Sequence, residues 1–439
     1  MAYRTRYNPN FGEIGAHVSQ RWPEKKIIGL KGKQTHTLGL ALSGGGYRSA
    51  IFNYGILRGL FEIGVIGKID YLSAVSGGSW VSMPFSTSND LRWFFDDIPT
   101  HPNLIEEGFE ALLPNPARVL QEAALSRKNA NYISNIYGRL LAKTFLREHG
   151  QQSRYLPLAD KTMVKDKDRP FLIVNGTVNY RSPESFSVTQ ECFEMTKLYS
   201  GSRSLGYIHS KDLLASVKTI RIRDAIAISG AAVAVHLPAL GGEVAGLGLS
   251  REVVNYAREV KSRANVSETD HLDVSDGGHY NNLGIESLIN RGCGYIIVVD
   301  AEHDKEDKDA TRSNQSYHGL KTLIKRHHIN TALSEDVIGQ LDEANKPLHV
   351  LDAPEGIPDI LYIKLKSWDE FDRHAQGKPY NQPGFLQNLF NQGAFSFDPQ
   401  FSTAKLDYDF AEHRNLSELG RFIVKEHKDT IVEFAGRSN

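Results

Sequence analysis

Cysteine is scarce: Cys192 and Cys293 are the only two in 439 residues, about a hundred positions apart and without C-x-x-C spacing. That excludes a disulfide framework and favours a reducing compartment. Long apolar runs are also missing, and nothing approaches the roughly 20 apolar residues of a membrane span. Met1 to Arg21 is polar, with no stretch suited to a secretory leader. The expectation is a cytoplasmic protein whose membrane contact, if any, is peripheral. No charge of one sign dominates, since 51 Lys and Arg face 52 Asp and Glu for a net charge of −1. No global field therefore selects nucleic acid. Metal-ligand spacings are absent, and His327-His328 are adjacent and cannot share a helix face. No metal and no cofactor are expected.

What is present is an ordinary globular composition, 40% hydrophobic and 23% charged, in a chain long enough for a large core. Residues 1–35 read as a polar N-terminal arm, and 36–435 as one catalytic domain with a helical cap or insertion over about 90–165. Leu38 to Leu42 is a short strand, Ala50 to Ile63 has helical spacing, and Tyr71 to Val75 is a second strand. That order implies a parallel pair with a right-handed crossover. Tyr132, Ile133, Ile136, Tyr137, Leu140, Leu141 and Phe145 form one stripe, either core-facing or a lid over an apolar channel.

Downstream, Phe171 to Val178 and Gly294 to Asp300 read as buried strands, Leu361 to Leu365 as an edge strand, and Leu416 to Phe434 as an amphipathic helix. Leu240 to Ser250 reads as a mobile glycine-rich loop and Arg251 to Ala264 as a helix. Ala225 to Ala234 is small and apolar, suited to close packing beside a site. Glu302 to Asp309 and the basic Lys321, Lys325, Arg326 and His327 read as solvated surface.

Two glycine-marked turns follow the first two strands. Ser43-Gly44-Gly45-Gly46-Tyr47-Arg48 can aim bare backbone N–H groups at an anion, because glycine permits conformations closed to other residues. Phosphate, dinucleotide and oxyanion binding all compete for it. A P-loop needs Gly-Lys-Ser/Thr, which Tyr47-Arg48-Ser49 does not supply; Asp70 loosely imitates the acidic residue of a dinucleotide site. The second turn, Ala74-Val75-Ser76-Gly77-Gly78, favours the third use. A serine between small residues two positions away on each side is what a nucleophile elbow requires, with Ala74 standing where that motif has glycine. A serine nucleophile needs a base, and Asp276-Gly277-Gly278 looks like a carboxylate on a tight turn at a strand end. Asp273 and His279 compete with it for that role, although Asp273 should face opposite Leu272 and Val274.

These three motifs, in this order and with Trp80 behind the serine, resemble the patatin-like phospholipases, near the cytosolic phospholipase A branch. Asp276 to Gly284 and Phe401-Ser402-Thr403 add to the resemblance, which covers roughly residues 36–430. It implies a three-layer α/β/α fold on a parallel or mixed sheet. It also implies a Ser76–Asp276 dyad without a histidine, an oxyanion hole of Gly44, Gly45 and Gly46, and an acyl-serine intermediate in hydrolysis of phospholipid or lysophospholipid. Arg48 takes the family's arginine position, as a phosphate contact or a brace of the glycine turn through salt bridges; Arg291 is a second headgroup candidate, or simply a surface charge. Smaller esters, acyl transfer, or a non-catalytic nucleotide-binding role are the alternatives.

Overall fold

The computed structural model describes residues 22, 24–27, 37–97, 138, 141–142, 145–146, 156–159, 169–181, 188–203, 205–210, 220–231, 251–254, 271–303, 346–351, 358–376, 378, 396–402 and 408–438. Leu240 to Ser250, the Lys321 cluster, most of the Glu302 to Asp309 run and most of 90–165 lie outside them. Eleven described strands form one mixed sheet: β1 (Leu38–Leu42), β2 (Tyr71–Val75), β3 (Phe171–Arg181), β4 (Val188–Met195), β5 (Tyr199–Ser202), β6 (Gly206–His209), β7 (Arg251–Val254), β8 (His271–Asp276), β9 (Tyr295–Asp300), β10 (Leu348–Leu351) and β11 (Asp359–Lys364). Their order is β10-β11-β9-β1-β2-β3-β4-β5-β6, with β8 on β3 and β7 on β8. The run from β11 to β3 is parallel, and the rest pairs antiparallel.

The parallel strands are buried on both faces, and their alternation divides the core in two. Leu38, Leu40, Leu42, Leu72, Ala74, Leu172, Val174, Ile297 and Val299 point into the larger core. Ala41, Tyr71, Phe171, Ile173, Ile296 and Val298 point into the smaller one. Helices α2 (Gly46–Glu62), α3 (Gly77–Thr87) and α4 (Leu91–Asp97) supply side chains to the larger core, as do α5 (Ile222–Ser229), α7 (Asp369–Ala375), α8 (Phe410–Glu426) and α9 (Lys428–Gly436). Leu283, Ile285 and Leu288, the last in α6 (Glu286–Asn290), cover the other face. This is the expected three-layer α/β architecture.

Three boundaries differ from expectation. Arg251–Val254 is a strand rather than the start of a helix, because it completes the pairing of β8 from Val254↔His271 to Arg251↔Val274. The Leu361 strand is not at the edge; β11 lies between β9 and the antiparallel β10, which is why its residues from Ile360 to Lys364 are all buried. The helical stretch over Leu416 to Phe434 breaks at His427 into α8 and α9. The first is started by a capping box between Asp409 and Glu412.

The arm and Arg291 also differ from the polar reading. Trp22 and α1 (Glu24–Ile27) are docked on the fold, with Trp22, Glu24 and Lys25 buried. Arg291 is fully buried and is neither a surface group nor a headgroup contact. It meets Glu24 at 3.0 Å and Glu194 at 3.0 and 2.9 Å, donates to the Tyr199 hydroxyl at 2.7 Å, and stacks 4.2 Å from the Trp22 ring. Burial pushes the Glu24 carboxyl up against the lowering effect of Arg291, and the paired acids hold Arg291 well above its ordinary value. The pattern is ionic docking of the N-terminal segment onto the sheet. Arg291→Met therefore leaves two uncompensated buried carboxylates and should cost about 3–5 kcal/mol, read as a fall in the urea midpoint.

Candidate active site

The site forms where two strands end on one edge of β3. β4 occupies the other edge over Val174 to Arg181, so β2 and β8 must share the remaining one. β2 runs up to Val75, opposite Asn175, and β8 runs in from the other direction to Asp276, opposite Gly176. Consecutive residues of β3 thus face the last residue of each strand. The elbow serine and the turn carboxylate emerge at one junction, although 200 residues separate them in sequence.

Ser76 is the sole non-glycine residue with positive φ among the described residues, at φ 47°, ψ −122°. Such a conformation costs on the order of 1–3 kcal/mol and persists only when the surroundings over-determine it. Here they do. Its N–H donates to Ser229 Oγ at 2.9 Å, and that hydroxyl donates to the Asn175 carbonyl at 2.6 Å. Its carbonyl accepts from Ser79 N–H and Ser79 Oγ, at 2.8 and 2.6 Å. The Asn175 carboxamide donates to Ser73 Oγ and the Ala74 carbonyl, and accepts from Ser287 Oγ. Ser76 does not cap its own helix, and its Oγ has no hydrogen-bond partner among the described residues. The backbone is fixed while the hydroxyl is left for chemistry.

The two glycine turns touch. A Cβ on Gly77 would sit 1.9 Å from the Gly46 carbonyl oxygen, so only glycine allows this approach. Gly77→Ala should push the turns apart, cost about 3 kcal/mol of stability and abolish activity, checked by urea titration and ester turnover. The contact brings the N-termini of α2 and α3 together, neither with a side-chain cap. Their open N–H groups and dipoles make the junction electropositive, a ready anion site. Gly45 and Gly46, at φ 137° and 64°, have N–H groups that donate to no acceptor among the described residues. Gly44 differs from expectation: its N–H donates to the Asn282 carbonyl at 2.9 Å and is not open to an oxyanion.

Asp276 is 1% exposed and N-caps the following turn, accepting the Gly278 N–H at 2.6 Å. Asp273 is exposed while Leu272 and Val274 are buried, as strand alternation requires. His279 is exposed and meets Ser275 Oγ at 3.0 Å. Arg48 is fully buried, with Nε and Nη2 donating to the Ala301 carbonyl at 3.1 and 2.9 Å and Nη1 to that of Phe401. It braces the glycine turn against the end of β9 through these backbone carbonyls, and its full burial leaves no exposed face for a phosphate. Asp70 accepts the Leu38 N–H at 2.9 Å at the far end of these strands from the turn, which removes the dinucleotide reading. Cys192 and Cys293 are buried and free, their thiols pushed up by desolvation, Cys293 to about 12, so neither competes as a nucleophile. Among the described residues no acidic, histidine or cysteine cluster could hold a metal, and no helix is long and apolar enough to cross a membrane.

Sequence reasoning missed Asn175, Ser229 and Asn282. Asn175 lay inside an apolar strand, where a buried amide breaking the run was the one available signal.

Residues 38–209, which hold both glycine turns, match the lysophospholipase catalytic domain family. Lysophospholipase 3 of Saccharomyces cerevisiae is 23% identical over 227 residues, 46% of this chain and 32% of the yeast protein. Lysophospholipase 1 of Candida albicans is 27% identical over 197 residues, 38% of this chain and 31% of its own length. The chain thus spans about a third of these relatives. Human GIVD cytosolic phospholipase A2 shares the fold with a TM-score of 0.63 at 14% identity, covering 96% of this chain and 63% of the human one. The likeness in fold therefore extends beyond the segment matched by sequence.

Proposed function

We propose that this protein hydrolyses acyl esters of phospholipids or lysophospholipids through an acyl-Ser76 intermediate. Ser76 Oγ attacks the ester carbonyl as its proton passes to the Asp276 carboxylate, and the tetrahedral oxyanion is held by the N–H groups of Gly45 and Gly46. Collapse breaks the acyl carbon–oxygen bond, and the leaving alcohol takes the proton from Asp276. Water then attacks the acyl-serine as its proton goes to Asp276, and collapse breaks the acyl carbon–Oγ bond while Asp276 returns that proton to Ser76 Oγ, freeing the fatty acid. The Ser76 hydroxyl and Asp276 are not hydrogen-bonded to each other in this structure; catalytic contacts of ligand-free enzymes are often long and tighten with substrate.

The observation that carries this reading is the meeting of β2 and β8 on one edge of β3, which delivers a strained serine and a buried carboxylate to one electropositive junction. The family match and the names of the relatives support a lipid ester over a smaller one. The protein works from the aqueous side, touching membrane peripherally. One structure of the human GIVD enzyme contains methyl γ-linolenyl fluorophosphonate, and the same reagent tests this site. A phosphonyl adduct on the Ser76 peptide, lost in Ser76→Ala, is expected; an adduct on another residue contradicts the nucleophile assignment.

A further inference from the structure

With Gly44 excluded, two backbone donors are left for the oxyanion, and the residue that occupies the Gly44 N–H stands beside them. We propose that the Asn282 side chain is a catalytic residue, its carboxamide N–H serving as a further oxyanion donor. This rests on the acyl-transfer reading above.

Asn282 is held against the glycine turn by its backbone, whose carbonyl takes the Gly44 N–H at 2.9 Å. Its side chain lies over the same turn. The point where a Gly44 Cβ would stand is 2.2 Å from Asn282 Oδ1 and 3.0 Å from Ser76 Cβ. The corresponding point on Gly278 is 2.9 Å from both Asn282 Oδ1 and Asp276 Oδ1. The carboxamide thus sits among the nucleophile, the base and the glycine turn, and glycine at position 44 makes room for it. It is half-buried and has no hydrogen-bond partner among the described residues.

A turn-forming duty does not account for it. The neighbouring Asn281 performs that duty, its Oδ1 accepting the N–H groups of Leu283 and Gly284 at 3.0 Å each. An uncommitted primary amide carries two donors, and rotation of its terminal torsion exchanges oxygen for nitrogen without moving the backbone. Placed beside a carbonyl becoming an oxyanion, such a donor typically contributes on the order of 100-fold or more to kcat. One loop, from Asp276 to Asn282, then supplies both the base and a donor.

The test is steady-state hydrolysis of lysophosphatidylcholine micelles by wild type, Asn282→Ala and Asn282→Asp, each first shown to melt cooperatively. Asn282→Ala should lose about 100-fold in kcat with KM little changed, and Asn282→Asp more, because a carboxylate repels the oxyanion it replaces a donor for. Asn282→Ser, which keeps one donor, should recover part of the Ala loss and shows that packing alone is not at issue. If Asn282→Ala folds and keeps kcat within threefold of wild type, or loses activity only through KM, or if Asn282→Asp folds and keeps wild-type kcat, the proposal is overturned. Failure of wild type to release fatty acid would instead remove the functional reading, and this inference with it.

Discussion

Replacing Ser76 should separate activity from stability. Ser76→Ala and Ser76→Gly are both expected to lose at least about 10⁴-fold in kcat, since the residual rate of an enzyme without its nucleophile comes from binding and the oxyanion site alone. Their stabilities should diverge. Position 76 holds φ 47°, ψ −122°, which is strained for any residue with a Cβ and free for glycine. Ser76→Gly should therefore be more stable than Ser76→Ala by about 1 kcal/mol, the relief of strain exceeding the extra unfolded-state entropy of glycine. Neither variant should lose the support of the elbow, because Ser229 and Ser79 bind the main chain of residue 76 rather than its hydroxyl. Urea titration of the pair reads the strain directly. Equal stabilities would mean that the elbow is not strained.

Asp276→Asn is expected to cost at least about 10³-fold in kcat with the fold intact. The amide oxygen can still accept the Gly278 N–H, which Asp276 Oδ1 takes at 2.6 Å, so the turn keeps its cap. What disappears is the basicity, and general-base contributions of this kind are typically 10²–10⁴-fold. Gly277, next to Asp276, packs so closely on β3 that a Cβ there would fall 2.5 Å from the Asn175 carbonyl oxygen, which fixes the turn carrying the carboxylate at the junction. A substantial residual rate in Asp276→Asn would move the base elsewhere. His279 is the nearest sequence alternative, but its ring is exposed and engaged with Ser275 Oγ.

Much of this site was legible in the sequence because its motifs are local. Leu38–Leu42 and Tyr71–Val75 have the strand bounds their apolar runs suggest, and the turns after them carry their glycines in consecutive positions. What was not legible depends on pairings between distant segments. Nothing in Gly44 itself says that its N–H is taken by residue 282, and its exclusion from the oxyanion hole follows only from the loop folding back over the turn. Arg291 reads as a surface charge until Glu24 and Glu194, from opposite directions in the chain, close on it. Ser229 looked like small-residue packing; its hydroxyl is the support of the elbow. Likewise β11 shows an apolar run that fits an edge or an interior strand equally well, and the antiparallel β10 decides between them.

The central claim is that Ser76 and Asp276 together cleave a lipid acyl ester. Mass spectrometry of products from vesicles of mixed phospholipids and lysophospholipids tests it most directly, with wild type, Ser76→Ala and Asp276→Asn run in parallel. Free fatty acid and the matching deacylated lipid should appear with wild type and with neither variant, which names both the substrate and the bond. Fatty acid release that persists in Ser76→Ala, or no release by wild type from any lipid present, would contradict the account.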